Sequence, residues 1–386
     1  MVKIIRIALL FIFPCLIFAQ SNYYYPLHNL EWETKPPSHF NINNDEFKRA
    51  IEFGKESPNK NTKDLRQAIL KGFEREPYHE ILGPTKKRGE SAGVILKNGY
   101  IIGKWGDLER VDMTFSVTKS YLSTIAGIAF DKGLIKSVNE PVANYVWNGK
   151  FEGQHNSKIT WEHLLNQSSD WSGELWGGLD WADRPPREGG LDDWKYRNLI
   201  EPGTKFEYND VRVNLLAYSL LEVFREPLPK VLKHYIMDPI GASSTWRWYG
   251  YKNSWINIDG IKVQSVSGGG HSGGGLFINT LDHARFGLLF LSNGKWNDKE
   301  IVSEEWIKKA ITPSVPNENY GYMWWLNPNQ TNQRMSNISN NAFYASGFGG
   351  NFIIIEPDYD LVVVLRWFDY SRINEFVKMV LATMQN

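Results

Sequence analysis

The stretch Phe115-Ser116-Val117-Thr118-Lys119 opens a mostly apolar run that ends near Gly133. Three residues make close to one helical turn of about 3.6 residues, so a helix here projects the Ser116 hydroxyl and the Lys119 amine from one face. A serine hydroxyl is unreactive at neutral pH, and a buried lysine can take its proton because burial lowers the pKa of an amine. The stretch therefore indicates either an acylatable serine with its base or a plain helix start with a serine cap and a solvated lysine.

Strand patterns lie on both sides of this helix. Ala92–Trp105 is typical of a hairpin, because Asn98-Gly99 suits a two-residue type I′ turn. Two apolar runs, Phe352–Glu356 and Leu361–Trp367, follow late in the chain, whereas residues 134–250 show helical patterns and Trp-rich loops. This order predicts an α+β fold, in which an antiparallel sheet is flanked by helices and carries a mostly helical subdomain at about 134–250.

Further helices are predicted where the spacing of apolar residues is helical. They are Asp45–Gly54, Lys63–Glu74, Trp161–Leu165, Leu191–Leu199, Val213–Phe224 and Arg372–Met384.

The composition allows a large core and shows no charge bias. The chain has 386 residues, 42% of them hydrophobic, and Lys+Arg and Asp+Glu are both 43. Since no basic stripe is evident, nucleic acid is not an expected partner. The histidines are scattered, with neither an H-E-x-x-H motif nor a Cys/His cluster, so we expect no metal and no cofactor.

The N-terminus has the pattern of a secretory signal peptide. Two basic residues precede the apolar run Ile7–Phe18, which is shorter than the roughly 20 residues of a membrane span, and a small residue, Ala19, follows it. We expect cleavage after Ala19, then an irregular arm and helices over 20–90. The single cysteine, Cys15, lies in the apolar run, so the mature chain would have no disulfide. A periplasmic or secreted location without a transmembrane segment follows from this interpretation.

Two later segments carry groups that could complete a site around Ser116. Pro202–Asp210 precedes a helix, and the phenol of Tyr208 could point into a cleft and relay a proton. The alternative is structural, with Asp210 as the N-cap of that helix. Tyr344–Gly350 precedes the late strand pair, and its small residues would let a strand edge approach a ligand and offer backbone N–H groups to an oxyanion, or would form only a bulge.

In this order the chain resembles the penicillin-recognising serine hydrolases, which carry Ser-x-x-Lys, then Tyr-x-Asn, then Lys-Thr-Gly on a late strand. The resemblance is closest to the branch that includes class C beta-lactamases, D-Ala-D-Ala carboxypeptidases, related esterases and 6-aminohexanoate-dimer hydrolase. Asp131–Pro141, Ile159–Ser169 and Gly274–Phe286 are similar to further segments of the family. The resemblance implies a beta-lactamase/transpeptidase-like serine hydrolase domain over 91–386.

The resemblance also implies roles for individual residues. Ser116 would be the acylated nucleophile, Lys119 its base partner, and Tyr208 a general base or proton relay. The backbone N–H groups of Ser116 and Phe348 would hold the oxyanion. The residues expected around the substrate are Phe348, Ala345, Ser346, Gly347, Asp210 and Trp171.

Two departures from the family pattern affect the expected substrate. Asp210 replaces an amide with an anion, and Ala345-Ser346-Gly347 lacks the lysine that grips a beta-lactam carboxylate. We therefore expect an exported esterase or amidase that acts on a small molecule or short peptide, neutral or cationic, and turns over penicillins poorly. The sequence does not indicate an oligomeric state.

A different hydrolase class is weighed against this one. Gly270-His-Ser-Gly-Gly274 fits the G-x-S-x-G nucleophile elbow of α/β-hydrolases. After Ser272 the only histidine is His283, and its neighbour Asp282 would point about 100° away on the same helix. The pair cannot serve one triad, so these glycines are expected to form a loop beside the cleft.

A binding protein is the second alternative. The chain has 16 Trp, several of them in loops, and aromatic planes can stack on sugars or hold apolar ligands. Most of these side chains are expected in the core, whereas Trp171 and Trp176 are expected to shape the pocket. A family member with weak turnover could act as a cell-wall ligand-binding sensor.

Overall fold

The computed structural model describes residues 23–28, 31–332 and 334–384, so the expected signal peptide 1–19 lies outside the described residues. The strands are β1 Ala92–Lys97, β2 Tyr100–Trp105, β3 Asp112–Met113, β4 Glu174–Leu175, β5 Gly178–Leu179, β6 Arg247–Ile258, β7 Ile261–Val266, β8 Gly275–Ile278, β9 Lys295–Trp296, β10 Lys299–Glu300, β11 Trp325–Leu326, β12 Phe343–Gly347, β13 Asn351–Glu356 and β14 Leu361–Arg366. The helices are α1 Asn44–Lys55, α2 Leu65–Gly72, α3 Thr118–Asp131, α4 Gly153–Asn156, α5 Trp161–Leu165, α6 Leu191–Lys195, α7 Asp210–Phe224, α8 Leu228–Leu232, α9 Thr280–Leu291, α10 Glu304–Ala310 and α11 Ile373–Ala382.

A six-stranded antiparallel sheet, in the order β11-β12-β13-β14-β1-β2, joins the two ends of the described chain. The predicted hairpin forms β1 and β2, and Asn98 and Gly99 have the positive φ angles of 50° and 84° that a type I′ turn requires. Strand β1 then pairs with β14, with Val94 opposite Val364. The predicted antiparallel sheet flanked by helices is confirmed.

Both faces of this sheet are covered, which explains why its central strands are continuously apolar. Alternate residues point to opposite faces of a strand. On one face Val362 and Val364 join the large core built around α3, α7 and α9. On the other face Val363 and Leu365 pack in the cluster that contains α1 and α11. Helix α1 therefore belongs to the same packed body as the sheet.

A second sheet, β3-β8-β6-β7, lies beside the first and was not predicted. Its long hairpin, β6 and β7, starts at Arg247, inside the stretch predicted to be helical. The turn is Asp259-Gly260, with φ angles of 53° and 80°, which is again a type I′ signal. A break in the register between Gly250 and Trp255 removes the regular alternation that would have indicated a strand.

Most predicted helices are present with shifted ends. The helix predicted from Leu191 to Leu199 ends at Lys195, and α7 begins at Asp210, three residues before the predicted start. Helices α3 and α7 are buried along most of their length and pack together in the large core. Within the described ranges, no helix is both long and apolar enough to cross a membrane.

Candidate active site

Ser116 sits in a short 3-10 turn, Phe115–Val117, that leads into α3. Phe115 has φ +50°, a left-handed conformation that is uncommon for a bulky side chain. Such strain persists only where the surroundings fix it, and it is common beside functional residues. Here the Phe115 ring packs against the Phe348 and Trp367 rings, at centroid distances of 5.2 and 6.4 Å. The turn is therefore held against the end of β12, with Ser116 lining a cleft of about 330 Å³.

Lys119 lies one turn along and is 1% exposed. Its Nζ donates to Ser116 Oγ at 2.9 Å and to Asp210 Oδ1 at 2.5 Å. Burial alone would lower the pKa of Lys119, but the charge of Asp210 outweighs it and the pKa is raised. The expectation that burial would make this amine a ready base is not met. Lys119 is an ammonium at neutral pH in the free protein.

Asp210 is the first residue of α7, and Asn209, not Asp210, is the N-cap. The Asn209 side chain accepts from Arg212 N at 3.0 Å, which leaves the Asp210 carboxylate free to face Lys119. Burial alone would raise the pKa of Asp210, but Lys119 and Arg184 hold it far below its usual range. The position where the family usually has Asn thus carries a carboxylate that is charged at neutral pH.

Tyr208 borders the same cleft as Ser116. Lys119 Nζ lies 4.7 Å from the centroid of the Tyr208 ring, and the Arg184 guanidinium lies 5.2 Å from it. The ring also stacks on Trp325, with centroids 5.9 Å apart. The side chains of Ser116, Lys119 and Tyr208 therefore lie together, with the two cations, Lys119 and Arg184, placed against the Tyr208 ring.

Glycines let two backbone segments approach this group closely. A Cβ on Gly269 would lie 1.9 Å from Asp210 Oδ1 and 2.4 Å from Lys119 Nζ. A Cβ on Gly347, at the end of β12, would lie 2.1 Å from Thr114 O and 3.2 Å from Ser116 N. The glycines at 268–274 thus form a loop beside the cleft, as expected, and the end of β12 brings its backbone to the amide of Ser116.

Neighbouring residues of the segment Tyr344–Gly350 have different surroundings. Ser346 and Phe348 line the cleft, and the Gly347 carbonyl accepts from the Tyr370 hydroxyl. Ala345 is 1% exposed and belongs to the large core, because neighbouring strand residues point to opposite faces. Of the three residues where the family has Lys-Thr-Gly, Ser346 thus presents its side chain to the cleft.

The prediction for Trp171 is wrong. This side chain was expected to shape the pocket, but it is 1% exposed, packs in the large core and donates from Nε1 to Lys150 O at 2.6 Å. Trp176 instead lines a second pocket of about 330 Å³, which shares Asp210 and His271 with the serine cleft. An indole in the middle of an aromatic-rich segment fills the core when the surrounding loops close over it.

The structure does not support the α/β-hydrolase nucleophile elbow at Gly270–Gly274. His283 Nε2 lies 2.8 Å from Thr114 Oγ1 and His283 Nδ1 lies 2.9 Å from the Tyr121 hydroxyl. Burial lowers the pKa of His283 well below its usual range. Both ring nitrogens are used in the core, away from Ser272, whose Oγ lies 3.5 Å from His79.

Several charged residues of the site belong to no motif that the sequence analysis could recognise. Arg184 lies 2.6 Å from Asp210 Oδ2 and 2.5 Å from Asp183 Oδ1. His271 Nε2 lies 2.6 Å from Glu76 Oε2, and its Nδ1 lies 3.5 Å from Asp210 Oδ2. The contacts of Arg184 with Asp210 and of His271 with Glu76 join segments far apart in the chain, so no motif or spacing rule could have identified them.

The other side of the serine cleft carries an arginine that was also missed. Arg334 Nη1 lies 3.5 Å from Ser346 Oγ, and its guanidinium lies 5.6 Å from the ring centroids of both Trp325 and Tyr370. Among the residues that the structure describes, no carboxylate forms an ion pair with it. The cleft therefore contains a cation even though Ala345 replaces the family lysine.

Two groups of side chains have the geometry to hold a metal ion. One is Glu76, His79 and His271, and the other is Asp183, Asp210 and His271. In each group one ligand atom from every residue lies within 4.8 Å of the others. Asp210 and Asp183 are already paired with Lys119 and Arg184, so the first group is the better candidate.

Comparisons with known proteins show the family of the chain. A family model described as Beta-lactamase matches residues 94–367. A curated relative from Escherichia coli, "Putative D-alanyl-D-alanine carboxypeptidase", is 25% identical over 196 residues, which are 43% of this chain and 45% of the relative. The chain thus spans about half the length of this relative.

Solved structures show the same fold. A beta-lactamase from Mycobacterium bovis has a TM-score of 0.55 at 18% identity, covering 83% of this chain and all of that one (100%). A "Putative 6-aminohexanoate-dimer hydrolase" from Bacillus anthracis has a TM-score of 0.54 at 17% identity, covering 85% and 96%. The family match extends over most of the chain, from β1 to the residue after β14. The chain therefore belongs to the beta-lactamase family of serine hydrolases and has the beta-lactamase/transpeptidase-like fold.

Proposed function

We propose that the protein is an exported serine hydrolase that cleaves an ester or an amide through an acyl-Ser116 intermediate. The observation that carries this proposal is the 2.9 Å contact between Lys119 Nζ and Ser116 Oγ in a cleft bordered by Tyr208. Membership of a serine hydrolase family supports the reaction class. The expected signal peptide supports export.

The proposed reaction has two stages. Ser116 Oγ attacks the substrate carbonyl carbon while its proton passes to the Lys119–Tyr208 pair. The oxyanion accepts hydrogen bonds from the backbone N–H groups of Ser116 and Phe348. The pair returns the proton to the leaving alcohol or amine as its bond to carbon breaks. Water then attacks the acyl-serine, which releases a carboxylic acid and restores the Ser116 hydroxyl.

The charge of Asp210 determines how this reaction depends on pH. Because Asp210 raises the pKa of Lys119, the Lys119 amine holds its proton at neutral pH. Lys119 can accept the Ser116 proton only after this proton is lost. We therefore propose that the acylation rate rises with pH across the neutral and alkaline range.

The same observation favours a second candidate function. A lysine held as an ammonium by a buried carboxylate would make acylation slow at neutral pH. The protein would then act as a catalytically weak, penicillin-binding-like sensor of a cell-wall ligand, in which occupancy of the cleft matters more than turnover.

Arg334 narrows the proposed substrate. A guanidinium without a carboxylate partner among the described residues disfavours a cationic substrate beside Ser346. We therefore propose a small neutral or anionic ester, linear amide or short peptide. A screen of carboxylate-bearing and uncharged versions of the same nitrophenyl ester tests this preference.

A fluorophosphonate probe tests the nucleophile and separates the two candidate functions. Covalent labelling that is lost in Ser116→Ala supports Ser116 as the nucleophile. Labelling with fast ester turnover supports the hydrolase, whereas slow labelling with tight ligand retention supports the sensor. Absence of labelling above pH 9 would contradict both. N-terminal sequencing of the exported protein tests the expected cleavage after Ala19.

A further inference from the structure

Glu76, His79 and His271 converge at the edge of the second pocket, beyond the Lys119–Asp210 ion pair. Glu76 Oε2 lies 2.6 Å from His271 Nε2, and His79 Nε2 lies 3.3 Å from the His271 carbonyl oxygen. One ligand atom from each of the three residues lies within 4.8 Å of the others. Glu76 and His79 lie close together in the chain after α2, but His271 follows almost two hundred residues later. For that reason the sequence shows no metal-binding spacing.

The two segments that carry these residues are fixed to each other. Leu82 N and Gly83 N both donate to Ser272 O at 2.9 Å, and Gly274 N donates to Pro84 O at 2.9 Å. The Phe73 ring lies 4.0 Å from the His271 ring, centroid to centroid. Backbone pairing and ring packing therefore hold the two segments together before any ion arrives, which favours a preformed metal site.

The charges around His271 do not balance. Three carboxylates, those of Glu76, Asp183 and Asp210, lie in this buried cluster and are 9%, 7% and 1% exposed. The cations that face them are Lys119 and Arg184. Counting these three carboxylates and two cations, the cluster carries one excess negative charge, and an unpaired buried charge is costly. A bound metal ion would neutralise it.

We propose that Glu76, His79 and His271 bind one Zn²⁺-class ion at the edge of the second pocket. Two imidazole nitrogens and one carboxylate oxygen form a His₂Glu donor set, which suits Zn²⁺ and its first-row neighbours, whereas Mg²⁺ and Ca²⁺ prefer oxygen ligands. Ser272 also lines the second pocket, and its Oγ lies 3.5 Å from His79 Nε2.

Neighbouring groups orient two of the proposed metal ligands, His271 and Glu76. His271 Nδ1 lies 3.5 Å from Asp210 Oδ2, and Glu76 Oε1 accepts from Arg184 N at 3.2 Å. A carboxylate behind the second ring nitrogen is the usual support of a metal-binding histidine. The Arg184 guanidinium lies 3.4 Å from the same nitrogen, but Asp183 and Asp210 already hold it.

Bound to these three side chains, the ion would link the segment after α2 to the glycine loop. That loop carries Gly269 against the Lys119–Asp210 pair. The ion would thus brace one side of the serine cleft without contacting Ser116. This inference does not depend on the proposed hydrolase activity.

Metal binding to the full-length protein tests the proposal directly. Chelator-treated protein is titrated with Zn²⁺, and separately with Co²⁺, whose visible absorption band reports nitrogen ligands in a four-coordinate site. We expect one ion per chain and a higher melting temperature with Zn²⁺. His79→Ala should weaken binding by at least about tenfold and abolish the melting shift. His39→Ala, which changes an exposed histidine far from the cluster, should bind as the unaltered protein does.

Two further variants separate loss of metal binding from loss of hydrolysis and from unfolding. Ser116→Ala should bind Zn²⁺ normally, so loss of hydrolysis and loss of metal are separate results. If metal-free His79→Ala proves unfolded by circular dichroism, Glu76→Gln replaces it in the same titration. Failure of the unaltered protein to bind Zn²⁺ stoichiometrically, or equal binding by His79→Ala or its replacement, would overturn the proposal.

Discussion

At the scale of single residues, the carboxylate of Asp210 has the largest expected effect on the chemistry. Its charge raises the pKa of Lys119, so Asp210→Asn should let Lys119 lose its proton at lower pH. We expect the rising limb of the pH–rate profile for Ser116 acylation to move by about 1 to 3 units towards acid. The measurement is the rate of fluorophosphonate labelling between pH 5 and 10.

A matched variant separates this local effect from a change in overall charge. Asp238→Asn removes a carboxylate that pairs with Lys233 at the surface, and it should leave the profile where it was. An Asp210→Asn profile that coincides with that of the unaltered protein would remove Lys119 from the proton-transfer step.

Gly347 offers a second test, which concerns the backbone. Since a Cβ there would lie 2.1 Å from Thr114 O, Gly347→Ala should push the end of β12 away from the Ser116 amide. Losing one oxyanion donor typically lowers the rate by about 10²–10³, and we expect a fall of that size in kcat for an activated ester. Gly190→Ala is the control, because its nearest neighbour lies 4.0 Å away and its φ is −133°. Equal activities of the two variants would contradict the assignment.

The sequence predicted which residues meet but not their charge states. Ser116 and Lys119 are related by helical spacing, and Asp210 follows Tyr208 in a recognisable element, so all four could be identified. The raised pKa of Lys119 could not be, because burial and a carboxylate partner act in opposite directions and only the folded contact decides between them. Arg184 likewise has neither motif nor periodicity and acquires its role through tertiary contacts.

At the scale of elements, the start of α7 sets the direction of the Asp210 side chain. Asn209→Ala removes the cap on Arg212 N and also the bond from Asn209 Nδ2 to Asp180 O at 2.7 Å. We expect a loss of about 1 to 2 kcal/mol in the free energy of unfolding. Activity should fall as well, because the first turn of α7 also carries Asp210. Urea denaturation and ester hydrolysis measure the two effects.

The N-cap of α1 provides the comparison. Asn43 accepts from the backbone N–H groups of Asp45 and Glu46, and the helix that it caps packs in the cluster that contains Val363 and Leu365. Asn43→Ala should cost a similar free energy of unfolding and keep its activity. If Asn209→Ala is destabilised but fully active, the position of Asp210 does not depend on its cap.

Two hairpins show why one element was predicted and another was not. Asn98-Gly99 is flanked by short apolar strands that end in the core, so both the turn and the strands were evident. Asp259-Gly260 has the same turn geometry, but β6 alternates irregularly and breaks register between Gly250 and Trp255. The aromatic residues of β6 were therefore assigned to a loop, although the Asp259-Gly260 pair alone indicates a hairpin turn.

At the scale of the whole molecule, a buried arginine joins the two main sheets. Arg366 ends β14, is 3% exposed, and donates to Asn351 Oδ1, to Ile278 O and to the carbonyls of Asp112 and Met113 at 2.7 to 3.1 Å. Burial lowers the pKa of Arg366 to about 10. Its position between the sheets follows from topology, which no local pattern in the sequence encodes.

Arg366→Met should therefore lower both the stability of the two sheets and the reactivity of Ser116, because both depend on the same contacts. Methionine fills much of the volume but leaves several buried carbonyls without a donor, each costing about 1 to 3 kcal/mol. We expect a loss of at least about 3 kcal/mol in the free energy of unfolding, together with slower labelling of Ser116, since β3 leads directly into the Ser116 turn. Arg49→Met, at an exposed ion pair on α1, should change neither. A variant at Arg366 that unfolds at the same urea concentration as the unaltered protein would show that the sheets are held by apolar packing alone.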